Sequence, residues 1–248
     1  MILNNIITRF IFFLTYENSY NATIFFAYIG YFQLINIVDK FVVLDNIQFT
    51  KQGWINRNKF LQNNRDKYFS IPIKKSSFNL NIIDRKISDK YKKQKILNQF
   101  YNAYQKAPYF DEIYPLLEKI ISHSNKNLFK YVFHSISAIC EYLFINTELF
   151  LSSSIEIDHR LKSEKKVIEI CKFLKSNVYV NSSGGEKIYK KDNFKKLNIN
   201  LKFLHSLEFR YKQYDSNLYV PNLSIIDVLM FNSKKIVKEK IDNNFILK

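Results

Sequence analysis

Cysteine, glycine, proline and tryptophan are all scarce in this chain of 248 residues, which has two, four, four and one of them. Two cysteines, Cys140 and Cys171, each on an expected helix face, make no disulfide framework; buried free thiols in a reduced, cytoplasmic setting are expected. The four glycines supply neither a Walker loop nor a dinucleotide fingerprint, and no Gly-X-Ser-X-Gly elbow occurs. The four histidines, His123, His134, His159 and His205, have no metal-ligand spacing, so no metal site is expected, and His159 between Asp158 and Arg160 reads as a surface loop. Long apolar runs are missing too. Residues 6–14 are apolar but interrupted by Arg9, far short of the roughly 20 residues that span a bilayer, and no small-residue cleavage site follows, so neither membrane insertion nor a signal peptide is expected. Acidic residues number 22 against 38 basic ones, a net charge of +16. Of the basic residues 32 are Lys, and Asn, Ile and Phe are abundant beside them. That is the signature of AT-rich codons, so the charge reads as compositional drift before a nucleic-acid surface, although the field favours phosphate-bearing substrates. Ribonucleoprotein, zinc and basic-zipper motifs are absent.

What is present is a globular composition, 47% apolar and 17% aromatic. Helical periodicity is expected over residues 30–37, then a buried strand at 41–44 and a second strand at 68–73. Three helical patterns follow, over residues 89–106, 109–122 and 125–144, with Pro108 dividing the first two. Beyond residue 154 the pattern alternates: helix 163–174, strand 178–180, a Gly-Gly loop, helix 191–197 and strand 201–204. Helices at 224–231 and 234–241 close the chain. Such alternation predicts an α/β fold with a mixed, parallel-leaning sheet. With no repeat and no linker, one unit over residues 1–248 is expected, carrying a helical insertion at about 89–144.

The densest chemistry lies in residues 28–58, where polar side chains follow the apolar strand at the end where open α/β sheets bind ligands. Asp45 is placed to orient or deprotonate an amine, and Asn46 and Gln48 to read sugar hydroxyls; a turn cap is the alternative. Lys51 and Arg57, flanked by Asn56 and Asn58, suit a diphosphate or carboxylate, and Arg57 stands out because only six arginines occur. Trp54 is either a stacking platform or core. Asn181, Ser182, Ser183, Gly184 and Gly185 lie between a strand and a helix, where backbone N–H groups can cradle phosphate; a plain structural turn weighs equally. Asp227, on an apolar helix, reads as a buried carboxylate with a packing partner.

The stretch Tyr-Ile-Gly-Tyr-Phe-Gln at 28–33, with Asp45 to Asn58 behind it, resembles the WbqC-like protein family of bacterial O-antigen and surface-polysaccharide clusters. Blocks at 105–110, 135–143, 168–172, 179–185 and 223–232 continue the likeness in order, covering about residue 27 to the C-terminus. The resemblance draws in Lys106 and Tyr109, on either side of Pro108, as further substrate contacts. It implies a surface-glycan biosynthesis protein that transfers an acyl or aminoacyl group, glycine being the leading suggestion, to the amine of a nucleotide-linked amino sugar. Its partners would be that sugar and an activated donor, with a charged tRNA one such donor; no cofactor is identified. The alternative is a non-catalytic nucleotide-sugar-binding subunit. At the N-terminus the likeness stops. Family members open on a strand and loop resembling Met-Lys-Ile-Ala-Ile-Met-Gln-Pro-Tyr-Phe, and one choice of codons for residues 16–25 gives those ten residues when read one base along. Residues 1 to about 25 are therefore expected to be out of frame, with the change in the T-rich tract encoding Phe25 and Phe26. A sequencing error or a length-variable tract that switches the gene off would each produce it.

Overall fold

The computed structural model describes residues 23–77, 79–214 and 218–248, with the backbone of residues 9–12. Of the stretch expected to be out of frame, residues 1–8 and 13–22 lie outside the described residues, whereas Phe25 and Phe26, whose codons are expected to hold the change, are described and buried. In chain order, β1 (Arg9–Phe12), α1 (Ile29–Asn36) and β2 (Lys40–Val43) come first. A hairpin of β3 (Arg57–Gln62) and β4 (Arg65–Ser70) precedes three helices, α2 (Lys93–Tyr104), α3 (Phe110–Ser122) and α4 (Leu128–Tyr142). Then follow β5 (Glu148–Leu151), α5 (Ser163–Phe173), β6 (Val178–Ser182), α6 (Lys191–Lys195) and β7 (Asn200–Ser206). The last elements are α7 (Ile225–Phe231), α8 (Lys234–Asn243) and β8 (Phe245–Leu247).

Six strands form one sheet in the order β5-β2-β1-β6-β7-β8, while β3 and β4 pair only with each other. Every pair from β5 to β7 is parallel, and β8 runs antiparallel along β7. The α/β class, the parallel-leaning sheet and the helical middle section are as the sequence predicts. Phe41, Val42, Val43 and Leu44 are all buried because an inner parallel strand is covered on both faces, which is why that run carries no polar alternation. Four strands were not anticipated, the first of them β1, whose residues 9–12 fall in the stretch expected to be out of frame yet pair inside the sheet. Short, partly exposed β5 at the sheet edge lacks a buried run, β8 is three residues long, and β3 reads Arg-Asn-Lys-Phe-Leu-Gln, too polar to score as a strand. The second expected strand, at 68–73, is displaced to become the outer arm of that hairpin.

The hairpin is bolted to the helical section by aromatic edges. Phe69 and Phe60 each meet Phe100 of α2 nearly at right angles, with ring centres 5.0 and 5.2 Å apart. It also fixes the approach to α1. Phe26 is buried with φ of 46°, a left-handed conformation that costs a bulky residue on the order of 1–3 kcal/mol. Asn58 holds it there, its Nδ2 donating to the carbonyls of Phe25 (3.2 Å) and Phe26 (2.8 Å), while Ala27 O accepts from Ile225 N at 2.9 Å. The loop before α1 is thereby clamped between β3 and α7.

Candidate functional site

The polar residues singled out in the sequence sort into separate neighbourhoods. The first lies beyond the C-terminal ends of the parallel neighbours β2 and β5. Asp45 is fully buried, and its Oδ1 accepts from Ser153 N (2.9 Å) and Ser152 Oγ (2.8 Å) while its Oδ2 accepts from Ser153 Oγ at 2.5 Å. The single proton of Ser152 Oγ is shared with Asn46 Oδ1, 2.7 Å away. Asn46 Oδ1 also accepts from Lys166 Nζ at 2.7 Å, and Asn46 Nδ2 lies 2.9 Å from His159 Nδ1. Lys166, on α5, is only 3% exposed; burial pulls its ammonium pKa down, and the Asp45 charge pulls it back up. A buried carboxylate and a buried amine thus share one cluster, which reaches solvent through Ser153 and His159.

Lys166 has no local motif, being one lysine among 32. A signal did exist: it shares the buried stripe of α5 with Val167, Ile170 and Cys171, where a lysine is out of place on an otherwise apolar face. His159, read as a loop residue, is exposed as expected but contacts the cluster.

The second neighbourhood is the base of the hairpin. The Trp54 and Tyr68 rings stack at 6.0 Å, and the Arg57 guanidinium lies 5.9 Å from the first and 5.1 Å from the second. Arg57 Nε donates to Gly53 O at 3.1 Å, and its Nη2 donates to Gln52 O. Lys51 is exposed beside them. Asn56 braces the hairpin, Nδ2 donating to Ile71 O at 2.8 Å, just as Asn58 braces the loop before α1; both are engaged with backbone. Gln48 is exposed and pairs through its backbone with Asn81.

The third is a cleft of about 550 Å³ past the ends of β6 and β7, bounded by the start of α1 and by residues 207–223. Gly184 and Gly185 fall in the 3-10 turn Ser183–Lys187 at its edge. A Cβ on Gly185 would lie 2.7 Å from Asn181 Nδ2, so this glycine is needed for close approach. Behind the cleft Asp227 is fully buried, accepting from Tyr104 OH (2.9 Å), Tyr211 OH (2.6 Å) and Gln213 Nε2 (2.8 Å); burial raises its pKa to about 6 against these bonds. Lys106 is exposed after α2, and Tyr109 N donates to Met230 O at 3.1 Å, which places Tyr109 beside α7 rather than at β2.

The model of the WbqC-like protein family matches residues 23–239, most of the chain and every neighbourhood described above. The chain belongs to the WbqC-like protein family. An uncharacterized protein of Mycobacterium tuberculosis, Rv1507c, is 29% identical over 208 residues, covering 82% of this chain and 87% of its own length. No solved structure matches. The WbqC-like match begins at Thr23, whose Oγ1 donates to Leu44 O at 2.8 Å, one residue before Asp45. Among the described residues of this WbqC-like chain, no helix is long and apolar enough to cross a membrane. Cys140 and Cys171 are free and buried, and burial pushes both thiols up to about 12, too high for nucleophilic use at neutral pH.

Proposed function

We propose that this WbqC-like protein is a transferase of surface-glycan synthesis that places an acyl or aminoacyl group, glycyl foremost, on the amine of a nucleotide-linked amino sugar. The observation that carries the reading is the cluster of Asp45, Ser153 and Lys166 at the C-terminal ends of two parallel strands. Asp45 is itself sealed from solvent, so the group that meets the substrate is the exposed Ser153 hydroxyl. As the sugar amine attacks the donor carbonyl, Ser153 Oγ takes the amine proton while passing its own to Asp45 Oδ2. The new bond is N–C of an amide; the bond that breaks joins the acyl carbon to the donor's leaving oxygen or sulfur, which departs with the proton from Asp45. The Lys166 ammonium supplies positive charge near the developing oxyanion. Lys51, Arg57, Trp54 and Tyr68 offer cations and ring faces to a phosphate-bearing donor such as a charged tRNA.

The test is to incubate the protein with amino-sugar nucleotides and activated donors and to weigh the sugar. A gain of one acyl or glycyl unit that disappears in Ser153→Ala supports the reading. Binding of the sugar nucleotide with no gain from any donor would replace it with a non-catalytic nucleotide-sugar-binding subunit.

A further inference from the structure

The strand order β5-β2-β1-β6-β7 has one reversal. From β1 the chain builds outward through β2 to β5, then crosses to the other side of β1 for β6 and β7. At such a reversal the neighbouring crossovers leave on opposite faces and a crevice opens outside the carboxyl ends of the strands. The cleft of about 550 Å³ lies along this edge, with Ser182 and Ser183 from the end of β6, Ser206 from β7, and Tyr28 and Ile29 from the start of α1.

Three features suit this cleft to a ligand with an anionic group and a flat ring. The start of α1 has no side-chain cap and no acidic residue in its first turn, so among the described residues none of its own side chains compensates its positive end. That end is pressed against β7: a Cβ on Gly30 would lie 2.4 Å from Tyr28 Cε2 and 3.2 Å from Ser206 Cβ. The far wall is aromatic and fixed in place. Tyr211 is tied to Asp227 at 2.6 Å and Tyr219 to Phe209 O at 2.8 Å, and the two rings meet at 84° with centres 5.6 Å apart. Their hydroxyls are committed, which leaves ring surface for the ligand. Glu208, also on the wall, can accept from sugar hydroxyls, whereas Asp45 at the end of β2 is turned toward Ser152 and Ser153.

We infer that the cleft binds a nucleoside diphosphate, the phosphates at the start of α1 among the hydroxyls of Ser182, Ser183 and Ser206, and the nucleoside along Tyr211 and Tyr219. The inference rests on the reading of the acceptor as a nucleotide-linked sugar and assigns its nucleotide half a place, leaving the cationic hairpin to the donor. Among the described residues no lysine or arginine lines the cleft, so binding depends only shallowly on salt, unlike attachment of RNA to basic side chains.

Calorimetric titration of the full chain with UDP, CDP, GDP and ADP tests this. One of them saturates; Ser206→Trp, which fills the cleft from β7, and Gly30→Ala, which drives the Tyr28 ring away, each weaken it about tenfold or more. Absence of binding by all four at millimolar concentration, or undiminished binding by Ser206→Trp, overturns the inference. The two readings fail separately. Diphosphate binding in the cleft without any sugar acylation removes the transferase and leaves the cleft; acylation undiminished by Ser206→Trp removes the cleft and leaves the transferase.

Discussion

Asp45 and Asp227 are both fully buried, yet their surroundings differ in kind. Asp45 sits among serine hydroxyls and a backbone N–H, with the Lys166 ammonium close enough to feel its charge and a hydroxyl leading out to solvent. Asp227 is held by two tyrosines and a glutamine and has no cation among its partners, and its pKa rises to about 6. Burial alone therefore does not single out a carboxylate for the proposed chemistry. A nearby cation and a hydroxyl leading to solvent distinguish the first; the second ties α2, α7 and the Tyr211 wall together.

The largest effect expected from this contrast is on Asp45→Asn, which removes the proton acceptor and lowers sugar acylation by about 10²–10⁴-fold in a mass-based rate assay. Asp227→Asn lowers it far less, and equal losses would erase the distinction. The second effect is on the pH dependence of stability. The folded-state pKa of Asp227 lies above the unfolded value of 3.8, so its contribution is greatest below pH 4 and is lost as the pH rises to about 6, by roughly 3 kcal/mol. Urea denaturation from pH 4 to 7 should show Asp227→Asn gaining on the wild type over that window and level above it; parallel curves would contradict the cost assigned to the buried charge. Lys166→Met, third, leaves Asp45 without its nearby cation and lowers the denaturation free energy by about 1–3 kcal/mol at pH 7. A neutral result there would mean that Lys166 does not balance the carboxylate. The smallest effects on stability are those of single hydroxyls. Tyr211→Phe and Ser153→Ala each cost about 1 kcal/mol, and of the two only Ser153→Ala lowers acylation, to the same degree as Asp45→Asn.

Much of the fold was legible because its inner parts announce themselves. The unbroken apolar run 41–44 and the 3.6-residue periodicity of α2, α3 and α4 leave little choice. The edge strands β5 and β8 and the polar strand β3 were not legible, since their pairing is decided by distant partners and not by their own residues. The candidate site divides the same way. Asp45 and Asn46 stand out because they follow a buried strand, but Ser152 and Ser153 look like an ordinary loop and Lys166 is one lysine among many. The cleft joins residues from Tyr28 to Val228, so no window of sequence contains it. Asn56 and Asn58, read as sugar contacts, brace backbone in the structure, a role that depends on where Ile71, Phe25 and Phe26 end up in space.

The strand order also bears on how the chain is made. β1 pairs with β2 on one side, Phe10 opposite Lys40, and with β6 on the other, Arg9 opposite Val178. During synthesis the middle of the sheet cannot close until most of the polypeptide has left the ribosome, and non-local parallel pairing of this kind is slow. For that interval the apolar run of Phe41 to Leu44 has no finished sheet to cover it, so the nascent chain is open to aggregation for longer than a fold built from local contacts.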